Sequence, residues 1–316
     1  MQTIKIAFCG QWDNKVIQDE FVKLLSGRVK LEISDRPDFL VCGCFNNDFL
    51  KYGERPIRIY YYTENVFPDF NLFDYAIGFH NLKYGDRHLS IPYYLNYDFE
   101  KLRGHDNSGL PDSLAQRKFC NFIYRNTRLG IGSKWRIEFA KKLMQYKPID
   151  CPGKSLNNMK NAIEPRKGDW NRGKQEFIKG YKFTIAFENS KSDGYTTEKM
   201  IDPLLSHSIP IYWGNEQAGT VFNPAAFINA NDYPDLDTLV ARIIEMDNDN
   251  EQYMKMLRAK PVIDDSLFGF DKERALADFM MDIFQTGKKY VNRGIGWAPF
   301  YRVLRHPFKA IFTHAH

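Results

Sequence analysis

The 316-residue sequence predicts an α/β protein made of two halves, each built around its own largely parallel sheet. Three observations predict it. Short, nearly continuous apolar runs at residues 38–45 (DFLVCGCF), 57–65 (IRIYYYTEN) and 74–79 (DYAIGF) are the form taken by strands covered on both faces. Such runs alternate with helical spacing on both sides of a polar stretch, residues 96–116, the best candidate for a domain junction. The length suits two domains, being too great for one small domain and too little for three ordinary ones.

Residues 4–10 (IKIAFCG) open as a strand, followed by a helix on which Val16, Ile17, Phe21, Leu24 and Leu25 recur at helical spacing. A strand near 31–34 and the three apolar runs complete the first half. After the junction, residues 118–124 predict a strand. Ser133 is placed to cap a helix over 134–145 that carries Trp135, Phe139, Leu143 and Met144 on one stripe. Strand 181–189, helix 198–206 and strand 209–214 form a βαβ unit, and helices follow near 236–246, 251–259 and 272–284.

Composition narrows the function. With 43% hydrophobic and 26% charged residues, the chain has material for a sizeable core and is not disordered. No run approaches the roughly 18 to 20 apolar residues of a membrane span, and the polar N-terminus does not resemble a signal peptide. Five cysteines without a CxxC pair suit reduced, buried thiols and hence a cytoplasmic setting. The net charge of +5 is local: residues 288–316 hold six of the 44 basic residues and no acidic one, leaving a nearly neutral body. A nucleic-acid binder would spread its cations over a folded face, so none is expected as partner. In that tail Phe300, Val303, Leu304, Phe308 and Ile311 oppose Arg302, Arg305 and Lys309, with Pro307 interrupting. Such a segment either lies on an anionic membrane surface or packs back on the body.

Neither GxGxxG nor GxxxxGK[ST] occurs, which argues against a dinucleotide dehydrogenase and a P-loop NTPase. Phosphate must then be held by side chains and helix N-termini. Residues 187–215 (FENSKSDGYTTEKMIDPLLSHSIPIYWGN) place Glu188 and Asn189 at a strand's carboxyl end and begin a helix near Thr197, with Lys199 in its first turn. A cation there opposes the helix dipole, which suggests an anionic ligand. In isolation a Thr-Glu-Lys triplet would be a solvated lysine beside a glutamate.

This segment, with FENS, Y-x-TEK and PIYWG in order, resembles the α-1,3/1,4-fucosyltransferases, family ten of the glycosyltransferases. Weaker resemblance to the bacterial branch runs from residues 61–79 to the helices near Phe284. It implies a GT-B type fold, two Rossmann-like domains facing a cleft, with a C-terminal helical tail. The expected boundaries are an acceptor domain at 1–110, a GDP-fucose-binding domain at 111–287 and the basic tail at 288–316. By resemblance Lys199 and Arg136 hold the donor pyrophosphate, Glu198 the ribose hydroxyls, and Glu188, Asn189, Tyr195 and the weaker candidate Asn126 complete the donor pocket. Arg136, on RIEFAKKL, would otherwise be a surface arginine of an amphipathic helix. Glu64, ending an apolar strand, falls at the position of the family's base; otherwise it caps the following loop. Glu64, Arg136 and Lys199 are thus the expected catalytic residues. Pro203 departs from an uninterrupted helix and should kink or shorten it.

The implied reaction is inverting transfer of L-fucose from GDP-fucose to an N-acetylglucosamine hydroxyl of a β-galactoside, Lewis-type glycan. No tightly bound cofactor is expected. The two DxD matches, 235–237 and 247–249, suit helix caps, and the seven histidines show no ligand spacing, so no metal site is predicted. Added Mn²⁺ or Mg²⁺ could stimulate without being required. The expected location is cytoplasmic, peripheral at the inner membrane if the tail binds lipid. The rivals are a glycosyltransferase with another nucleotide sugar or acceptor, and a glycan-binding protein without turnover.

Overall fold

The computed structural model describes residues 1–125, 131–159, 170–263 and 268–291. The chain divides into two compact units, Met1–Pro92 joined by the chain from Asp271 onward, and Tyr93–Phe270.

The first unit contains β1 (Thr3–Cys9), α1 (Asn14–Leu25), β2 (Lys30–Ile33), β3 (Phe39–Cys42), β4 (Ile57–Tyr61), β5 (Tyr75–Gly78) and β6 (His88–Ser90). Its strands form one parallel sheet in the order β2-β1-β3-β4-β5-β6. All four residues of β3 are buried, as expected of a central parallel strand. Asp13 caps α1 by accepting from the amides of Lys15 and Val16, and Ile17, Phe21 and Leu25 form its buried stripe.

The last described helix, α7 (Lys272–Thr286), also belongs to this unit, which corrects the expected domain bounds. Its buried stripe is Ala277, Met280, Ile283 and Phe284, and Phe284 meets Phe39 of β3 edge-on with ring centroids 4.8 Å apart. Beyond it the amides of Tyr290 and Val291 donate to Asp74 Oδ1 at 2.9 and 2.8 Å, and Arg87 stacks on the Tyr290 ring. The basic tail therefore begins with residues folded back on the first sheet. Arg293 and all later tail residues lie outside the described residues.

The second unit contains β7 (Lys118–Asn121), α2 (Ile131–Leu143), β8 (Ile149–Asp150), α3 (Trp170–Ile178), β9 (Tyr181–Phe187), α4 (Glu198–Leu205), β10 (Ile209–Trp213), β11 (Ile228–Asn229), α5 (Leu236–Asn248) and α6 (Asn250–Leu257). Its sheet, again parallel, runs β11-β10-β9-β7-β8. Taken in chain order, this repeats the first sheet's 2-1-3-4-5 arrangement, the doubly wound order in which the switch point lies between the first and third strands.

The boundary falls at 92/93 rather than 110/111. The polar stretch after it is not an open linker but holds 3-10 turns at Tyr93–Asn96, Asp98–Leu102 and Asp112–Gln116. Phe99, wholly buried, stacks on Phe268 at 4.9 Å and meets Phe222 edge-on at 6.0 Å, anchoring the stretch in the second unit. Among the expected helices, α2 starts at Ile131, so Ser133 is a buried residue within it and not its cap. Asp235 and Asp249 cap α5 and α6, while Asp247 is buried beside Lys182 Nζ at 2.7 Å. None of the five cysteines forms a disulfide, and four of them are buried. Among the described residues no helix is long and apolar enough to cross a membrane.

Candidate active site

Ligands of doubly wound sheets gather beyond the strand carboxyl ends at the switch point, which in the second unit lies between β7 and β9. Tyr124, just past β7, ties the two strand ends together. Its hydroxyl accepts from the Phe187 amide at 2.7 Å and lies 2.9 Å from the Ile185 carbonyl, to which it donates. Its ring supports the Arg136 guanidinium, 4.1 Å above the centroid. Arg136 is 1% exposed and donates through Nη1 to Asn189 Oδ1 at 2.8 Å and through Nη2 to Ser133 Oγ at 3.0 Å. Burial lowers its pKa, opposed by Tyr124 and Glu188.

The first turn of α2 rests directly on the Glu188–Asn189 backbone: Gly132 donates to the Asn189 carbonyl at 3.1 Å, and a Cβ on Gly132 would lie 2.1 Å from the Glu188 carbonyl oxygen. Gly214, at the end of β10, is constrained in the same way, since its Cβ would lie 2.6 Å from Glu188 Cγ. Two glycines thus let three segments close around one carboxylate.

Glu188 is wholly buried. Its Oε1 accepts from the amide and hydroxyl of Thr197, both at 2.8 Å, and its Oε2 lies 3.0 Å from Lys199 Nζ. Burial pushes its pKa up against the pull of Lys199. Thr197 caps α4, Glu198 and Lys199 occupy its first turn, and Lys199 Nζ also lies 3.4 Å from Glu198 Oε1. Burial disfavours a charged lysine, yet Glu188 and Glu198 outweigh it and hold Lys199 well above the usual lysine value. For Glu198 burial acts upward, but Lys199 and Lys174 bring its pKa down to about 2. Pro203 has no amide for the Lys199 carbonyl four residues back, yet α4 runs through it and ends at Leu205.

The loop before α4 is fixed by the strand after it. Tyr212 Oη lies 3.3 Å from both the Tyr195 carbonyl and Thr196 Oγ1, and Asn215 Nδ2 donates to Thr196 Oγ1 at 3.1 Å. The Tyr195 ring is buried and stacked on Tyr93 with centroids 5.6 Å apart. The three sequence segments around FENS, Y-x-TEK and PIYWG are therefore one interlocked structure.

Residues 126–266 match the model described as glycosyltransferase family 10 (fucosyltransferase) C-term, and residues 6–97 match the alpha-(1,3)-fucosyltransferase FucT N-terminal domain. This chain belongs to glycosyltransferase family 10. It is 28% identical over 302 residues to the alpha-(1,3)-fucosyltransferase FucT of Helicobacter pylori, a match covering 82% of this chain and 60% of that protein. The chain thus spans less than two thirds of that relative's length. It is also similar to crystal structures of alpha1,3-fucosyltransferase with GDP-fucose and with GDP. The TM-score is 0.69 for each, at 26% and 25% identity, with 92% of this chain covered in both and 94% and 92% of those chains. The GT-B type α/β architecture follows from that likeness and from the two parallel sheets.

In this family-10 chain the structure brings Arg136, Glu188, Asn189, Tyr195, Glu198 and Lys199 together around the β7–β9 switch point. Glu188 has no exposed surface and stands behind the wall, holding Thr197 and Lys199. Asn126 lies outside the described residues. Glu64 lies in the first unit, exposed, beyond the carboxyl end of β4. Its loop is anchored there: His80 lies 3.0 Å from both Tyr62 Oη and Asn65 Oδ1, and the Phe67 ring stacks on His80 at 3.9 Å. Burial lowers the His80 pKa to about 4, so the ring is neutral. Among the described residues no cluster of three or more His, Cys, Asp or Glu could hold a metal ion. Sequence reasoning missed Tyr124, a buried tyrosine of ordinary appearance, and Lys174, on a helix with no motif.

Proposed function

We propose that this chain is an inverting α-1,3-fucosyltransferase that moves L-fucose from GDP-fucose to the 3-hydroxyl of an N-acetylglucosamine unit in a β-galactoside glycan. The observation that carries this is the pairing, at the β7–β9 switch point, of two cations: Arg136, buried and bonded to Asn189, and Lys199, which keeps 14% of its side chain open to solvent beside Glu188 and Glu198. The first turn of α4, capped by Thr197, adds a favourable dipole for the same anion.

In this reading Glu64 takes the proton of the acceptor hydroxyl as its oxygen attacks C1 of fucose. The bond from C1 to the diphosphate breaks on the opposite face, which inverts the configuration. Lys199 and Arg136 receive the charge that develops on the departing GDP; Arg136, planar and forked, can meet two phosphate oxygens. Glu198, ionised, accepts from the ribose hydroxyls. Lewis-acid help from a divalent ion is not required, since both cations come from side chains; added Mn²⁺ or Mg²⁺ would at most stimulate.

We further infer that the basic tail holds the enzyme at an anionic membrane surface on the cytoplasmic side, a reading supported by its six cations and the apolar series from Phe300 to Ile311.

The test is a panel of nucleotide sugars offered with N-acetyllactosamine, with and without excess chelator, followed by linkage determination on the product. GDP-fucose alone should be consumed, chelator should leave turnover in place, and the product should carry fucose on the 3-hydroxyl. Turnover with another nucleotide sugar, or none with GDP-fucose, refutes the proposal.

A further inference from the structure

The helix α3 buries a charge where its pattern calls for an apolar residue. Among the residues of α3 whose burial is described, Lys174 and Ile178, one turn apart, are buried, Lys174 to nine-tenths. A lysine on a buried stripe needs a partner of opposite charge. Lys174 Nζ lies 2.7 Å from Asp202 Oδ2 and 3.9 Å from Glu198 Oε1, one turn apart on α4. Gln175, its neighbour, donates to Asp202 Oδ1 at 3.0 Å, so α3 grips Asp202 by both oxygens and presents the ammonium to Glu198.

This arrangement is costly for stability alone. Asp202 is 3% exposed, and an apolar pair at these positions would pack the two helices without desolvating two charges. What the pair adds is a second cation on the one carboxylate of the site that keeps about a third of its side chain open to solvent, Glu198 at 30%. Lys199 approaches Glu198 from the first turn of α4 and Lys174 from α3, and the carboxylate is held between them.

We propose that Lys174 is a positioning residue of the donor site: with Asp202 it holds the Glu198 carboxylate where that group receives the two ribose hydroxyls of a guanosine nucleotide. This rests on the donor reading above. Among the described residues, the charged and titratable groups facing Glu198 are Lys199 and Asp202 on α4, Lys174 on α3, Glu188 at the end of β9, Arg136 on α2 and Tyr97 between two 3-10 turns. Of the cations, Lys199 is shared with Glu188, and Arg136 is bonded to Asn189 and Ser133. Lys174 is the second cation on Glu198, after Lys199, and its removal moves the Glu198 pKa upward from about 2.

The experiment is calorimetry of GDP and 2′,3′-dideoxy-GDP binding to the parent, Lys174→Met, Lys174→Arg and the double variant Lys174→Met/Asp202→Asn, at neutral pH and in mild acid. The double variant removes both buried charges, so it keeps the test alive if Lys174→Met does not fold. The parent should prefer GDP by about tenfold to a hundredfold, the range of hydrogen bonds to a charged group. Lys174→Met and the double variant should lose most of that preference while binding the dideoxy nucleotide like the parent. Their residual preference should fall further in acid, where the parent's persists, and Lys174→Arg should restore it. Full preference in Lys174→Met or the double variant overturns the proposal, as does equal weakening of both nucleotides, which would mark a purely structural role. A parent that binds both nucleotides equally also overturns it, and a parent that binds neither refutes the donor reading itself.

Discussion

Replacing Lys199 by Met separates the structural from the functional work of this lysine. In the folded chain its ammonium lies 3.0 Å from Glu188 Oε2, a separation worth about 5 kcal/mol of attraction at an effective dielectric of about 20, before desolvation is counted. Removing one partner of such a buried pair costs about 3 to 5 kcal/mol, because the other charge is stranded. Glu188 is the stranded group, and its pKa is already raised by burial with Lys199 present. Without Lys199 it rises further, so the variant can escape part of the penalty by taking up a proton. The expected outcome is a loss of about 3 kcal/mol at pH 7 that shrinks as the pH is lowered toward 5, since a group whose folded pKa is raised favours the folded state as it protonates. Glu188→Gln in the same chain should recover most of the stability, with the amide still bonded to Thr197. GDP affinity should not recover in that double variant, because the cation for the diphosphate is still missing. Urea denaturation at both pH values, paired with GDP calorimetry, measures both quantities. A stability loss that is independent of pH, or a double variant that regains GDP binding, would refute the reasoning.

Arg136→Ala should weaken GDP binding by at least about tenfold, and Arg136→Lys should restore only part of it, since a lysine lacks the fork and the stacking on Tyr124. Glu64→Gln should fold and bind GDP like the parent but transfer fucose about 10² to 10⁴ times more slowly, which stopped-time product assays with saturating donor would show. Acid should weaken the first unit through His80: its folded pKa of about 4 lies below the ordinary 6.5, so stability is lost as the pH falls from about 6.5 toward 4. His80→Gln should flatten that loss in a denaturation series, and an unchanged slope would exclude His80 as its cause. Truncation after Val291, which spares the contacts of Tyr290 and Val291 with Asp74, should abolish sedimentation with anionic vesicles at low salt and leave transfer to soluble acceptors intact.

Much of the candidate site was legible because its residues are close in sequence. Glu188, Asn189, Tyr195, Glu198 and Lys199 fall within twelve positions of a strand, a loop and a helix start, whose local geometry follows from the chain itself. Arg136 is 53 positions from its partner Asn189 and was placed by resemblance, while its support on Tyr124 could not be read at all. Lys174 escaped because a lysine in a short polar helix looks solvated until α4 is packed against it.

The sequence by itself determined the longer strands and every helix but α3, because hydrophobic period acts over a few residues, while it misplaced the cap of α2. It also determined that phosphate would have to be held without a glycine-rich loop. Only the tertiary structure decided which sheet α7 joins and where the first unit ends. An apolar stripe states that a helix will be buried but not against what; Phe39 and Asp74, more than 200 positions from their partners, supply that answer. The same holds for Glu188. Its sequence position offers a carboxylate to a ligand, but Gly132 and Gly214 allow the backbone to close over it, and the folded chain turns it inward to hold Thr197 and Lys199.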